Sequence, residues 1–170
     1  IEYPLQIGFH EAFAGGERQI SFQLSDGSQH TFRVKIPAGV KDGGKLRIAG
    51  KGAPSPTGGA QGDLLVKISV APHPDFHRSG NDIEAPLPLK ISEALLGTTK
   101  EVNTMDGTKV VKIPPGVKPG TKIRLKSLGF PNPASKGTRG DFFCVVEYKL
   151  PQALSDQQKE IVEQLQALDL

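Results

Sequence analysis

The sequence predicts a mainly β fold built from two tandem homologous units, followed by a short C-terminal helix. Three observations predict it. Residues 34–47 (VKIPAGVKDGGKLR) recur as residues 111–124 (VKIPPGVKPGTKIR) with ten of fourteen positions identical, and a match of that density within one chain marks a duplicated supersecondary unit. Apolar and polar residues alternate with a period of two in the segments around both stretches, as in half-buried strands. Only after Pro151 does the apolar spacing change to that of a helix.

The repeat extends further. Gly62-Asp63-Leu64-Leu65-Val66 matches Gly140-Asp141-Phe142-Phe143-Cys144, and Glu11-Ala12-Phe13-Ala14-Gly15 matches Glu93-Ala94-Leu95-Leu96-Gly97. Asp26-Gly27 matches Asp106-Gly107, and Pro4-Leu5-Gln6-Ile7 aligns with Pro88-Leu89-Lys90-Ile91. The offset drifts between 77 and 84, as small loop insertions would produce. Two subdomains are expected at residues 1–72 and 73–150, with 151–170 as a separate segment. Units of about 75 residues bury a modest share of their surface, so packing between the copies or against a partner chain should support them.

In the first copy, residues 1–7 put Ile1, Tyr3, Leu5 and Ile7 on one face. Pro4 cannot donate to a ladder, which confines this strand to an edge or a bulge. Residues 8–14 form a short helical turn closed by Gly15-Gly16. Residues 18–24 place Ile20, Phe22 and Leu24 on one face with Arg18 at its mouth. Ser25-Asp26-Gly27-Ser28 carries the Asp-Gly hairpin signal, and residues 30–36 return as a strand that Pro37-Ala38-Gly39 breaks. Strands follow at 45–49 and 63–70, separated by a Gly/Pro/Ser loop, and residues 71–80 link the copies.

The second copy repeats the order, with strands at 83–91, 100–104, 109–113, 122–125 and 141–150, a helical turn at 92–97 and a loop at 126–140. Both faces of its last strand are apolar (Phe142, Cys144, Val146; Phe143, Val145), which implies burial on two sides. Ser155-x-x-Gln158 is a capping-box signature, and the helix it opens carries an apolar stripe of Ile161, Val162, Leu165 and Leu168. A helix this short is marginal alone in water, so the stripe must dock on the body or on another copy of the chain.

Composition narrows the function classes. The net charge of +3 and a pI of about 9.0 permit acidic partners without indicating nucleic acid. With no Trp and 36% hydrophobic residues, the cores should be aliphatic and thin. A single cysteine excludes an internal disulfide and a multi-cysteine zinc site, and is compatible with a reducing compartment. No apolar run is long enough for a membrane-spanning helix, no signal-peptide pattern is present, and a chain beginning at Ile1 reads as part of a longer protein.

No motif carries an enzyme's chemistry. Gly39-x-x-x-x-Gly44-Lys45 resembles a phosphate loop, but Leu46 follows in a strand pattern where Ser or Thr opening a helix is required, so it reads as a turn. His10, His30, His73 and His77 lack metal-ligand spacing, and Cys144 lies in a two-sided apolar strand as an inert thiol. No metal and no cofactor are expected. The cations of the repeated stretch (Lys35, Lys41, Lys45, Arg47; Lys112, Lys118, Lys122, Arg124) read as a solvated face, because the aromatic interleaving that single-stranded nucleic acid requires is missing. Tyr3, Leu5, Ile20 and Phe22 read in two ways: as plain core, or as a shallow apolar groove beside an edge strand, where an extended peptide adds backbone hydrogen bonds and places alternate side chains in pockets. Periodicity alone does not choose between them.

The ordered succession Phe13-Ala-Gly-Gly16, Val34-Lys-Ile-Pro-Ala-Gly-Val40, Gly50-x-Gly52, Gly62-Asp-Leu64, His73-Pro-Asp-Phe76-His-Arg78, Glu93-Ala-Leu-Leu-Gly97, Asp106-Gly107, Ile113-Pro-Pro-Gly116 and Gly140-Asp141 resembles the C-terminal substrate-binding region of DnaJ-type co-chaperones over nearly the whole chain. His73-Pro74-Asp75 is also the signature tripeptide of the J domain, which stimulates DnaK-type ATPases, but here it fits the family's junction between subdomains. The J domain and Gly/Phe linker are absent from this sequence. A short turn at 25–31 stands where some members carry a zinc-binding insertion, as in the zinc-free class that includes bacterial curved-DNA-binding relatives.

The resemblance implies two stacked β-sandwich-like subdomains, a C-terminal dimerisation segment and a peptide groove on the first subdomain. By position, Tyr3, Leu5, Ile20 and Phe22 line that groove. Arg18 stands where a cation meets an acidic peptide terminus, and Phe76 closes the floor. Lys100, Val102 and Thr104 replace Arg18, Ile20 and Phe22 in the second copy, so the site is expected in the first copy only. The implied function is a cytoplasmic client-holding module that binds extended apolar segments of unfolded proteins and passes them to a DnaK-type partner. It is expected to act as a homodimer joined through Ile161, Val162, Leu165 and Leu168. A DNA-binding module using the basic surface and a dimeric scaffold without a client site are the alternatives.

Overall fold

A computed structural model describes residues 1–24 and 27–170. The first copy comprises β1 (Glu2–Ile7), α1 (Phe9–Ala14), β2 (Gly16–Gln23), β3 (Gln29–Ile36), β4 (Lys45–Ile48) and β5 (Leu64–Val70). After β6 (His77–Ser79), the second copy repeats the order as β7 (Asp82–Lys90), α2 (Ile91–Leu96), β8 (Thr98–Thr104), β9 (Gly107–Ile113), β10 (Lys122–Leu125) and β11 (Phe142–Lys149). Helix α3 (Asp156–Ala167) ends the chain.

Each copy sets a mixed sheet against a two-stranded hairpin. The sheets run β1-β5-β4 and β10-β11-β7-β6, and the hairpins are β2-β3 and β8-β9. β1 pairs with β5, and β7 with β11, in parallel. Parallel pairs require cover, and the sequence supplies it: Leu64, Val66 and Ile68 of β5 are buried with Ile20, Val34 and Ile36 of the facing hairpin. This is the mainly β architecture that the repeat and the alternation predict, in the sandwich-like form that the resemblance implies.

The six-residue helices are too short to stand alone, and the same device holds each one. Glu11 accepts from the Gly8 backbone N–H (3.1 Å) and pairs with Arg18 (2.6 Å); Glu93 accepts from Lys90 N–H (2.9 Å) and pairs with Lys100 (2.7 Å). Both helices stop at a glycine with positive φ, Gly15 and Gly97. A Cβ on either would press within 2.7 or 2.9 Å of a carbonyl, that of Ile36 or Ile113.

The structure corrects three expectations. First, the copies correspond at an offset of 82 through β1, α1 and β2, because Leu65 lies opposite Glu2 and its counterpart Phe143 opposite Glu84. Pro4 therefore matches Pro86, not Pro88, and Leu5 matches Leu87. A slip of two residues preserves strand alternation, and the Pro-x-Pro of β7 makes it locally attractive. Second, residues 71–80 are more than a link, since β6 within them extends the second sheet. Third, the core is not purely aliphatic: Phe130 and Phe142 are fully buried, and Phe9 nearly so. Of the expected hairpin turn, Ser25 and Asp26 lie outside the described residues; beside them Leu24 N–H donates to the Ser28 carbonyl at 2.9 Å.

The buried aromatics join the copies. Phe9 and Phe13 of α1 meet Phe130 of the second copy edge-on, with ring centroids 5.1 and 5.6 Å apart. The Arg78 guanidinium lies 3.8 Å from the centre of the Phe130 ring and donates to the carbonyls of Val40 (2.6 Å) and Gly39 (2.8 Å). Burial lowers the Arg78 pKa from its ordinary value. Cys144 is fully buried and burial raises its pKa, consistent with an inert thiol. In α3 the Ser155 hydroxyl accepts from Gln158 N–H (3.1 Å) while the Gln158 side chain accepts from Ser155 N–H (2.9 Å), the capping box read from the sequence. No residue of α3 is buried.

Candidate functional site

β1 and β2 belong to different sheets and are not paired with each other. Both present an unpaired edge. Leu65 and Ala71 N–H bond to the carbonyls of Ile1 and Ile7, so the odd residues of β1 face β5 and the backbone of Glu2, Pro4 and Gln6 faces outward. On β2, the bond from Leu24 N–H to Ser28 sets the alternation of the β2–β3 ladder. The backbone groups of Arg18, Ile20 and Phe22 therefore turn to β3, and those of Glu17, Gln19 and Ser21 turn to the open edge. No proline interrupts that row.

Between these edges lies an aromatic cluster. Tyr3 of β1 and Phe22 of β2 stand 6.1 Å apart across the gap. Phe22 meets Phe32 edge-on at 5.5 Å and stacks with His30 at 6.3 Å. Tyr3, Leu5, Phe22 and Phe32 are half-buried. Ile20, expected to line the groove, is 2% exposed and belongs to the core beneath it. His30 and Phe32 are members that the sequence reading missed. The hairpin register places His30 opposite Phe22 and Phe32 opposite Ile20, so counting outward from the Asp-Gly turn would have found them.

Arg18 stands at the mouth, but its charge is engaged. Its Nε and Nη2 reach the two Glu11 oxygens at 2.6 and 2.9 Å. That pairing, followed by the Gly8 N–H, lowers the Glu11 pKa against the opposing effect of burial. An acidic peptide terminus must compete with Glu11. Phe76 lies elsewhere: its ring partners are Phe9, His73 and Phe142, at 6.2, 4.5 and 5.6 Å. It closes the junction between the copies, in a cleft beside Pro86 and Leu87, and not the floor beneath Tyr3 and Phe22. The physical reason is the path of residues 71–80, which turn onto the second sheet to form β6.

In the second copy the groove is erased. At the structural offsets Tyr3, Phe22, His30 and Phe32 become Ala85, Thr104, Gly107 and Lys109. Thr104 is buried and spends its hydroxyl on the turn, donating to the Gly107 carbonyl at 2.7 Å. The β7 edge is shut as well. Ile83 N–H bonds to Asp141, so the even residues face outward; β6 pairs with Asp82 and Glu84, Pro86 and Pro88 have no N–H, and Lys90 N–H is taken by Glu93.

The repeated cations are not simply a solvated face. Lys45 pairs with Glu2 (3.1 Å) and Arg47 with Asp63 (2.5 Å), and the second copy repeats both as Lys122–Glu84 (2.5 Å) and Arg124–Asp141 (3.5 Å). Half of the basic set is thus matched by carboxylates across strands, which leaves the nucleic-acid alternative without geometric support. No described helix is long and apolar enough to cross a membrane.

The profile of the DnaJ C terminal domain matches residues 1–151. Chaperone protein DnaJ of Roseiflexus sp. (strain RS-1) is 45% identical over 132 residues, which are 78% of this chain and 35% of that protein. Chaperone protein DnaJ 2 of Cutibacterium acnes is 42% identical over 139 residues, 81% of this chain and 36% of the relative. Chaperone protein DnaJ of Geobacillus thermodenitrificans is 44% identical over 135 residues, 79% and 35% of the respective lengths. The chain spans about a third of the length of these relatives. By the family profile, and by the residues that carry its fold, this chain belongs to the DnaJ C-terminal domain family.

Proposed function

We propose that this chain is the client-holding module of a DnaJ-type co-chaperone. An extended apolar segment of an unfolded protein lies between β1 and β2, adds as a strand to the open β2 edge, and sets alternate side chains against Tyr3, Leu5, Phe22 and Phe32. The observation that carries this reading is a contrast within one molecule: an aromatic gap between two unpaired edges in the first copy, replaced by small and charged residues beside a shut edge in the second. In this reading residues 1–72 hold the client, 73–150 support it, and 151–170 dimerise the chain through Ile161, Val162, Leu165 and Leu168. Release passes the client to a DnaK-type partner in the cytoplasm, and the module itself performs no covalent chemistry.

The energetics suit repeated capture and release. Burying an apolar side chain contributes roughly 1.5–3 kcal/mol, and association costs several kcal/mol in lost freedom and ordering. A few part-buried contacts then leave a dissociation constant on the order of micromolar. Two grooves in a dimer raise retention through effective concentration. The test is suppression of aggregation of a denatured client by Phe22→Asp, with folding checked by circular dichroism. The reading predicts a folded protein that no longer suppresses aggregation; unchanged suppression would place the client elsewhere.

A further inference from the structure

Both faces of β11 are apolar, yet the strand is sealed on one face alone. Phe142, Cys144 and Val146 are buried in the core, while Phe143 and Val145 on the outer face are half-buried. Beside Val145 lies a cleft of about 730 Å³, within the size range of small-ligand and short-peptide sites. One wall is the junction between the copies, with Asp42 of the first copy and His73 and Asp75 of residues 71–80. The other is the outer face of the second sheet, with Pro86, Val145 and Glu147. None of Tyr3, Leu5, Phe22 and Phe32 lines it, so it is separate from the groove of the first copy.

The repeat shows that this face is specialised. Lys67 lies opposite Pro4 and Val145 opposite Pro86, so Lys67 and Ser69 of the first copy correspond to Val145 and Glu147 of the second. A cation and a hydroxyl are replaced by an apolar residue and a carboxylate, side by side on one face. The charge around the cleft is negative and largely uncommitted, in a chain of net charge +3. Arg78 spends its donors on the carbonyls of Gly39, Val40 and Gly80, and Glu84 is paired with Lys122. Asp42 accepts from the Val70 N–H at 2.8 Å and has no ion pair. Among the described residues, Asp75 and Glu147 have no side-chain partner. The His73 ring holds the turn that carries Asp75, its Nδ1 accepting from the Asp75 and Phe76 N–H at 3.0 and 3.2 Å.

We propose that this cleft is a second contact point for clients, and that it takes an extended segment in which an arginine or lysine neighbours an apolar residue. The apolar side chain rests on Val145 and Pro86, and the cation is met by Asp75, Glu147 and Asp42 through charge-assisted hydrogen bonds. This rests on the client-holding reading above and adds a charge preference to it. The aromatic groove supplies no such preference, because its own cation, Arg18, is paired with Glu11.

Fluorescence anisotropy on the intact chain tests it with two labelled peptides, Leu-Arg-Leu and Leu-Gln-Leu, each flanked by Gly and Ser. Phe22→Asp should abolish binding of the Leu-Gln-Leu peptide and leave the Leu-Arg-Leu peptide bound. In that background, Val145→Lys with Glu147→Ser, which installs the first copy's own residues, should weaken the Leu-Arg-Leu peptide about tenfold. Asp75→Asn removes one surface charge and no volume, and should weaken it about threefold. Added salt should weaken it in the same direction. Loss of both peptides in Phe22→Asp, with neither cleft variant changing the wild-type affinity, would place both in the groove and overturn the cleft while the client reading stands. Equal binding of the two peptides to Phe22→Asp would overturn the charge preference. No binding of either peptide to the wild-type chain would overturn both readings.

Discussion

Phe22 and Ile20 are two residues apart on one strand, yet they differ in what a charge would do. Ile20 is sealed beneath the groove, so Ile20→Asp buries an unpaired carboxylate at a cost of several kcal/mol. Thermal melts should show Ile20→Asp without a cooperative transition and Phe22→Asp within a few degrees of wild type, which separates lost binding from lost folding. Glu11 gives a pH-dependent prediction. Its folded pKa is lowered from the ordinary 4.5, chiefly by Arg18. Its contribution to stability is therefore fully present above that value and is lost as pH falls through the depressed folded pKa. Melting temperature should change little between pH 7 and about 5 on this account and fall in more acid solution, with a shallower acid limb in Glu11→Gln. The same substitution frees Arg18, so a peptide ending in acidic residues should bind more tightly to Glu11→Gln than to wild type.

The elements show how backbone direction and side-chain type together set where a client strand can add. β2 turns Glu17, Gln19 and Ser21 outward and its counterpart β8 turns Thr99, Glu101 and Asn103 outward in the same way, but β8 faces no aromatic cluster, and the β7 edge beside it is met by β6, Pro86, Pro88 and Glu93 where the β1 edge is open. Much of this was legible in the residues. Alternation placed the strands, the 34–47 repeat announced the duplication, and Ser155 and Gln158 announced α3. The burial of Ile20 was not legible, because alternation assigns a face without its depth. Neither was the position of Phe76, because a linker reads as polar and irregular until β6 is seen to pair. Phe130 was hidden for a related reason: it lies in a Gly/Pro loop and is covered by Phe9, Phe13 and Arg78, all distant in sequence. At the other end, Ser155→Ala removes an N-cap worth about 1 kcal/mol. It should lower the helicity of α3 and weaken the dimer, a change that light scattering and circular dichroism would show together.

At the scale of the molecule, the two halves are held by a few interlocked groups. Arg78→Ala removes the stacking on Phe130 and the donors to the Gly39 and Val40 carbonyls, a loss of roughly 1–3 kcal/mol. It should lower the melting temperature by several degrees and widen the small-angle scattering profile, while peptide affinity for the first-copy groove changes little. Gly39 is the opposing wall of that joint. Its φ of 85° and the Pro131 carbonyl leave no room for a Cβ, so Gly39→Ala should destabilise the joint in the same manner. A stiff joint fixes the separation of the two grooves in a dimer, and that separation decides which client segments can be held at once. The central claim is that a client adds as a strand to β2 and to no equivalent edge in the second copy. Amide hydrogen exchange, followed by NMR with and without a saturating apolar peptide, tests it most directly. The account predicts slowed exchange at Glu17, Gln19 and Ser21 and no change at Thr99, Glu101 and Asn103; equal protection of both hairpins, or none at β2, would contradict it.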